Sequence, residues 1–135
     1  MSILDEIKRD IKGAEVLSDW LGAGGQPVPQ AQADGRALAC MCGNDGRLCR
    51  HFVAPKWWER FLKHPVAKEI KSQLQVKHAL KLSTPADGFG RMCAVCGCCV
   101  SLKVWVPIDH VKAHTTPEMM AEYPTYCWQR KEMTA

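Results

Sequence analysis

The chain has 135 residues and a mass of 15.1 kDa, with 47% hydrophobic residues, 24% charged residues and a net charge of +4. This is the size and composition of one ordinary globular domain. Eight cysteines, about 6% of the chain, exceed normal usage yet fall below the roughly 8–10% of a secreted disulfide scaffold. No apolar run approaches the roughly 18 residues of a membrane span, and the N-terminal MSILDEIKRD carries charge where a signal peptide would be apolar. The expectation is a soluble, membrane-free chain made in a reducing cytosol, where clustered cysteines hold metal more often than they form disulfides.

Residues 2–21 read as an amphipathic helix. Leu4, Ile7, Ile11, Ala14 and Leu21 recur at steps of three and four, with the step at Ser18 missing. Ser2 is placed to cap this helix and Gly22 to end it. One narrow apolar stripe does not stabilise an isolated helix in water, so it needs a surface of its own domain or of a partner. GAGGQPVPQAQADG at 22–35 opposes regular structure and reads as a linker reaching residue 36. The expected organisation is a docking arm at 1–21, a linker at 22–36 and a cysteine-rich domain at 37–135.

From Pro55 to Leu82 the pattern is helical again. Trp57, Trp58, Phe61 and Leu62 form an apolar turn before Pro65, and Val66, Ile70, Leu74 and Leu80 form the stripe of a further helix ended by Ser83, Thr84 and Pro85. Residues 50–85 hold eight Lys or Arg against two acids. That excess fits either a solvated helix face or phosphate contact with nucleic acid through Lys68, Lys71 and Lys77, aided by stacking on Trp57 or Trp58. Val100, Leu102, Val104 and Val106 alternate with Ser101, Lys103 and Trp105, which predicts a half-buried strand stopped by Pro107. Thr116-Pro117-Glu118 then opens a short helix, and Pro124 closes it before Tyr126-Cys127-Trp128.

Cys93-Ala94-Val95-Cys96-Gly97-Cys98-Cys99 is the strongest local signal. A C-x2-C pair turns two sulfurs towards one ion, and the following glycine permits the tight turn that aims amides at them. With Cys98 and a returning Cys127, the set Cys93, Cys96, Cys98 and Cys127 makes a tetrahedral zinc site. Cys93, Cys96 and Cys99 also fit the C-x2-C-x2-C spacing of iron–sulfur sites, so a [4Fe-4S] cluster stays open; otherwise Cys99 is a spare thiol. Cys40, Cys42, Cys49 and His51 form a weaker group, suited to a second metal site, to disulfides or to buried thiols. His110 and His114, four apart without an intervening glutamate, read as surface or supporting histidines, as do His64 and His78. No phosphate loop, nucleophile elbow or carboxylate pair supports catalysis, and four thiolates around one ion leave no open coordination position.

The order LSDWLGAGGQPV, WWE, KLSTPADG, CAVCGC, LKVWVPID and a closing YCW resembles small cysteine-rich proteins encoded by tailed bacteriophages and prophages. The resemblance covers most of the chain and is most specific where C-x2-C-x-C leads through LKV-x-VPI to Cys-Trp. It matches Cys93, Cys96, Cys98 and Cys127; Cys99 stands where proline is expected, and the loop from Cys40 to Cys49 departs from the pattern. The resemblance implies a phage origin more firmly than a role. The expectation is an α+β fold: a small helix-rich domain with a C-terminal metal knuckle and β-hairpin-like element, and an N-terminal amphipathic arm. Such a protein would be a non-enzymatic virion component of the tail, neck or baseplate, made in the host cytoplasm and present in several copies. Its arm would dock on other virion proteins. The alternatives are a zinc-ribbon-like nucleic-acid binder and an iron–sulfur protein.

Overall fold

The computed structural model describes residues 3–135, and the side chains of all of these except Ile3, Asp5, Glu6, Leu62 and His64. Ser2, expected to cap the first helix, lies outside the described residues, as do the side chains of Leu62 and His64. In chain order the elements are α1 (Ile3–Gly22), α2 (Gln30–Cys42), β1 (Phe52–Val53), α3 (Trp57–His78), a 3₁₀ turn (Pro85–Phe89), β2 (Met92–Cys93), α4 (Val100–Lys103), α5 (Ile108–Ala113), α6 (Pro117–Glu122) and α7 (Trp128–Thr134). The fold is mostly helical with one small antiparallel sheet, in which Phe52 pairs with Cys93 and Val53 with Met92. No helix among the described residues is long and apolar enough to cross a membrane.

Helix α1 forms where the periodicity predicts it, but it turns the other face inward. Val16 and Trp20 are buried and Gly13 sits against the cysteine loop, whereas Leu4, Ile7, Ile11 and Leu21 are exposed. Positions 9, 13, 16 and 20 share one helical face, opposite that of 4, 7 and 11. Glycine and arginine carry no hydrophobic signal, so the packed face does not read as apolar. The helix lies on its own fold: Asp19 meets His110 of α5 at 3.1 Å, Glu15 meets His114 at 3.4 Å, and the Trp20 indole donates to the Gln26 carbonyl at 2.9 Å.

The irregular connection after α1 is shorter than composition predicts, because residues 30–36 belong to α2. Pro29 precedes its first turn, as proline at a helix start is tolerated, and Ala33 and Ala37 are fully buried. Arg36, also buried, binds Glu132 through two nitrogens at 2.6 and 2.8 Å and donates to the Val104 and Val106 carbonyls at 3.0 and 2.7 Å. Its guanidinium also lies 4.3 Å from the centre of the Trp128 ring. Small residues and one anchored arginine thus replace the large apolar stripe that would have announced this helix.

Helix α3 runs unbroken through Pro65, where a break is expected. Pro65 faces solvent, so the carbonyl it leaves unbonded one turn earlier can be hydrated, while buried Glu59, Ala67 and Leu74 hold both halves on the core. Val66 and Leu80 of the expected stripe are exposed. The segment after the cysteine loop is likewise not a strand: Val100–Lys103 is helical, Val104–Val106 continues in turns, and Lys103 and Trp105 are as buried as Val104 and Val106. Alternation predicted a half-exposed strand, but every residue of this run except half-buried Ser101 is buried, so no two-residue period records a solvent face. Helix α6 begins as predicted, with the Thr116 hydroxyl accepting from the Met119 amide at 3.2 Å.

Candidate metal centre

The cysteine loop is a tight antiparallel hairpin. The Cys93 amide donates to the Cys98 carbonyl at 3.0 Å and the Gly97 amide to the Cys93 carbonyl at 2.8 Å, while Met92 bridges Cys99. Gly97 has φ +75°, and a β-carbon there would lie 2.6 Å from Asp10 Oδ1, so both conformation and space require glycine. The turn places the Cys93 and Cys98 thiols, and the Lys103 ammonium from α4, beside Cys96. Hydrogen bonds from Cys93 and Cys98, with help from Lys103, hold the Cys96 thiol well below its ordinary pKa. As donors to Cys96, Cys93 and Cys98 are raised. Burial opposes the charge of Lys103, but Cys96 and Cys98 outweigh it and keep the ammonium protonated.

Helices α1 and α3 clamp this hairpin from outside. Arg9 donates to the Ala94 carbonyl at 3.3 Å and to Glu59 at 3.0 Å; Lys63 reaches Asp10 at 2.6 Å, Glu59 at 2.8 Å and the Gly97 carbonyl at 2.8 Å. Gly13 lets α1 lie directly on the loop, because a β-carbon there would fall 2.8 Å from the Cys96 carbonyl and 2.9 Å from Cys98 Sγ. Burial pushes the Glu59 carboxyl up, but the Lys63 hydrogen bond and charge, the Lys56 amide and Arg9 together hold it below its ordinary value. Sequence reasoning missed this clamp; the only available signal was an arginine, an acid and a glycine spaced along a helix face that looked polar.

The remaining cysteines are arranged differently from the sequence grouping. Cys127 lines a small cavity, about 20 Å³, together with Cys40, Cys49, Cys93 and His51. The Cys49 amide bonds the Cys40 carbonyl at 2.7 Å, and the Ala94 amide bonds the His51 carbonyl at 2.8 Å, which joins this cluster to the hairpin. Burial, then the nearby Cys127 and Cys49, pushes the Cys40 thiol up to about 12. Cys42 points elsewhere: it is exposed and donates to the Leu38 carbonyl at 3.2 Å. The His51 ring, half-buried, meets the Glu122 carbonyl at 3.1 Å. Cys99 faces the cleft between α1 and α3, where burial raises its thiol to about 11.

Among the described residues no disulfide links these thiols, and no group of three or more His, Cys, Asp or Glu side chains is placed to hold a metal ion. Of the three lysines proposed for phosphate contact, Lys71 is tied to Asp87 at 2.8 Å and to the Ser101 carbonyl at 3.1 Å, and Lys77 to the Gly24 carbonyl at 2.8 Å; Lys68 is exposed. Lys71 and Lys77 thus also fasten α3 to the fold. No protein-family model, curated protein or solved structure matches the chain.

Proposed function

We propose that the protein is a non-enzymatic, metal-stabilised component of a larger particle, a bacteriophage virion in the setting its sequence resembles, with zinc held by Cys93, Cys96, Cys98 and Cys127. One observation supports the metal: a buried ammonium, Lys103, lies beside the hairpin that carries Cys93, Cys96 and Cys98. Burying a lysine among neutral thiols is costly, whereas burying it beside metal thiolates offsets their surplus negative charge. Cys127 supplies the fourth sulfur from the start of α7, across the cavity it shares with Cys93. Four thiolates close the coordination sphere, which supports a structural rather than a catalytic ion.

The particle reading rests on the resemblance and on the exposed stripe of Leu4, Ile7 and Ile11, which α1 leaves to solvent while its opposite face holds the fold. Two measurements test the proposal. Elemental analysis of anaerobically purified, colourless protein should find zinc, and Cys96→Ser or Cys127→Ser should lose it with the C-terminal fold while Cys99→Ser keeps both. Brown protein containing iron, or equal damage from Cys99→Ser, would replace zinc with an iron–sulfur cluster. Mass spectrometry of purified particles should detect the chain; its presence in producing cells but absence from particles would defeat the virion assignment.

A further inference from the structure

We infer that the protein holds two zinc ions rather than one, in a six-thiolate centre in which Cys93 and Cys127 are shared between an ion on Cys96 and Cys98 and a second ion on Cys40 and Cys49. The inference rests on the zinc reading above and adds the second ion, the two further ligands and the two bridges.

The cavity lined by Cys40, Cys49, Cys93 and Cys127 has about the room of one water molecule. Two of its four sulfurs, those of Cys93 and Cys127, already belong to the set proposed for the hairpin ion. An ion in the cavity would therefore share two thiolates with its neighbour. Each ion then has four sulfurs, two shared and two of its own, which satisfies tetrahedral zinc on both sides with six cysteines.

The surroundings of the cavity supply what such a centre needs beyond its ligands. Trp128 lies beside Cys40 and Tyr126 beside Cys49. The amides of Gln129 and Arg130, in the first turn of α7, lie near Cys127 Sγ, although neither makes a regular capping hydrogen bond. Donors aimed at ligand sulfurs orient them and stabilise thiolate charge. Six thiolates with two divalent ions leave two negative charges, and Lys103 neutralises one of them. Cys42 and Cys99 lack a place in this arrangement, the first exposed beside Leu38 and the second facing the cleft between α1 and α3. Binding displaces the ligand thiol protons to solvent and needs no oxidant or reductant.

The full chain, purified anaerobically and titrated with zinc, tests this by native mass spectrometry and thiol alkylation. The expected result is two zinc ions per chain in the wild type, in Cys42→Ser and in Cys99→Ser, and one in the Cys40→Ser/Cys49→Ser double variant. Should that variant fail to fold, the wild type still decides. Cys40 and Cys49 should resist alkylation only after the second equivalent, and in the ¹¹³Cd-loaded protein the β-protons of Cys93 and Cys127 should each couple to two cadmium nuclei. One zinc per chain with Cys40 and Cys49 alkylated throughout overturns the two-ion centre and leaves the single-ion function standing. No zinc in any form overturns both.

Discussion

Gly13 is the residue on which the thiol loop and the first helix depend together. Its missing side chain lets α1 come within contact of the Cys96 carbonyl and Cys98 Sγ. An added methyl would meet backbone rather than a flexible chain end, so one of the two elements has to move. Gly13→Ala, although favourable for helix propensity, should therefore destabilise the protein by about 1–3 kcal/mol in chemical denaturation. The same variant should lower zinc affinity, because the hairpin that presents Cys96 and Cys98 would shift. The acid beside it behaves differently. Glu59 has a carboxyl depressed below its unfolded value of 4.5 by the Lys63 and Arg9 partners that outweigh its burial. Its contribution to stability is present above pH 4.5 and is lost as pH falls through the lower folded value. Glu59→Gln should reduce stability at pH 7 and flatten its fall in acid, measured as the denaturation midpoint against pH.

At the scale of elements, α2 is fastened chiefly by one side chain. Arg36 joins α2 to α7 through Glu132 and closes the carbonyls of Val104 and Val106 where α4 unwinds into turns. Arg36→Ala would leave Glu132 with only the Gln32 amide and no charge partner, and two buried carbonyls without donors, so we expect a loss of about 3 kcal/mol. Thermal or urea unfolding followed by circular dichroism reads that loss. Helix α2 was not legible in the sequence because Ala33, Ala37 and a buried arginine make no hydrophobic stripe, and the glycines and prolines nearby favour a linker reading. Helices α1 and α6 were legible because capping and periodicity are local properties. The 100–106 segment failed for the converse reason. A two-residue period reports a surface with a wet side, and once Lys103 turns inward to Cys96 only Ser101 of this segment keeps partial exposure.

At the scale of the whole molecule, thiols stand where a domain of this size would otherwise carry more apolar contacts. The hairpin, β1, α4 and α7 meet around Cys40, Cys49, Cys93, Cys96, Cys98 and Cys127, so ions bound there would join segments from both halves of the chain. Prolonged chelation under reducing conditions should therefore lower the melting temperature and expose the Trp128 and Tyr123 neighbourhood, visible as a change in tryptophan fluorescence. An unchanged melting temperature after complete zinc removal would show that packing alone holds these segments.

The turn at Cys93–Cys98 with its glycine, and the helical character of α1, α3 and α6, were legible in the sequence, because spacing, turn residues and helical period act over a few residues. Tertiary structure alone decided which face of α1 is inside, that Arg36 and Lys103 are core residues, and that Cys127 lies with Cys40 and Cys49 as well as with Cys93. Apart from Lys103, which meets cysteines of the neighbouring turn, those outcomes depend on groups brought together across more than thirty residues of chain, and a buried ion pair or a shared cavity leaves no periodic trace in the sequence that forms it.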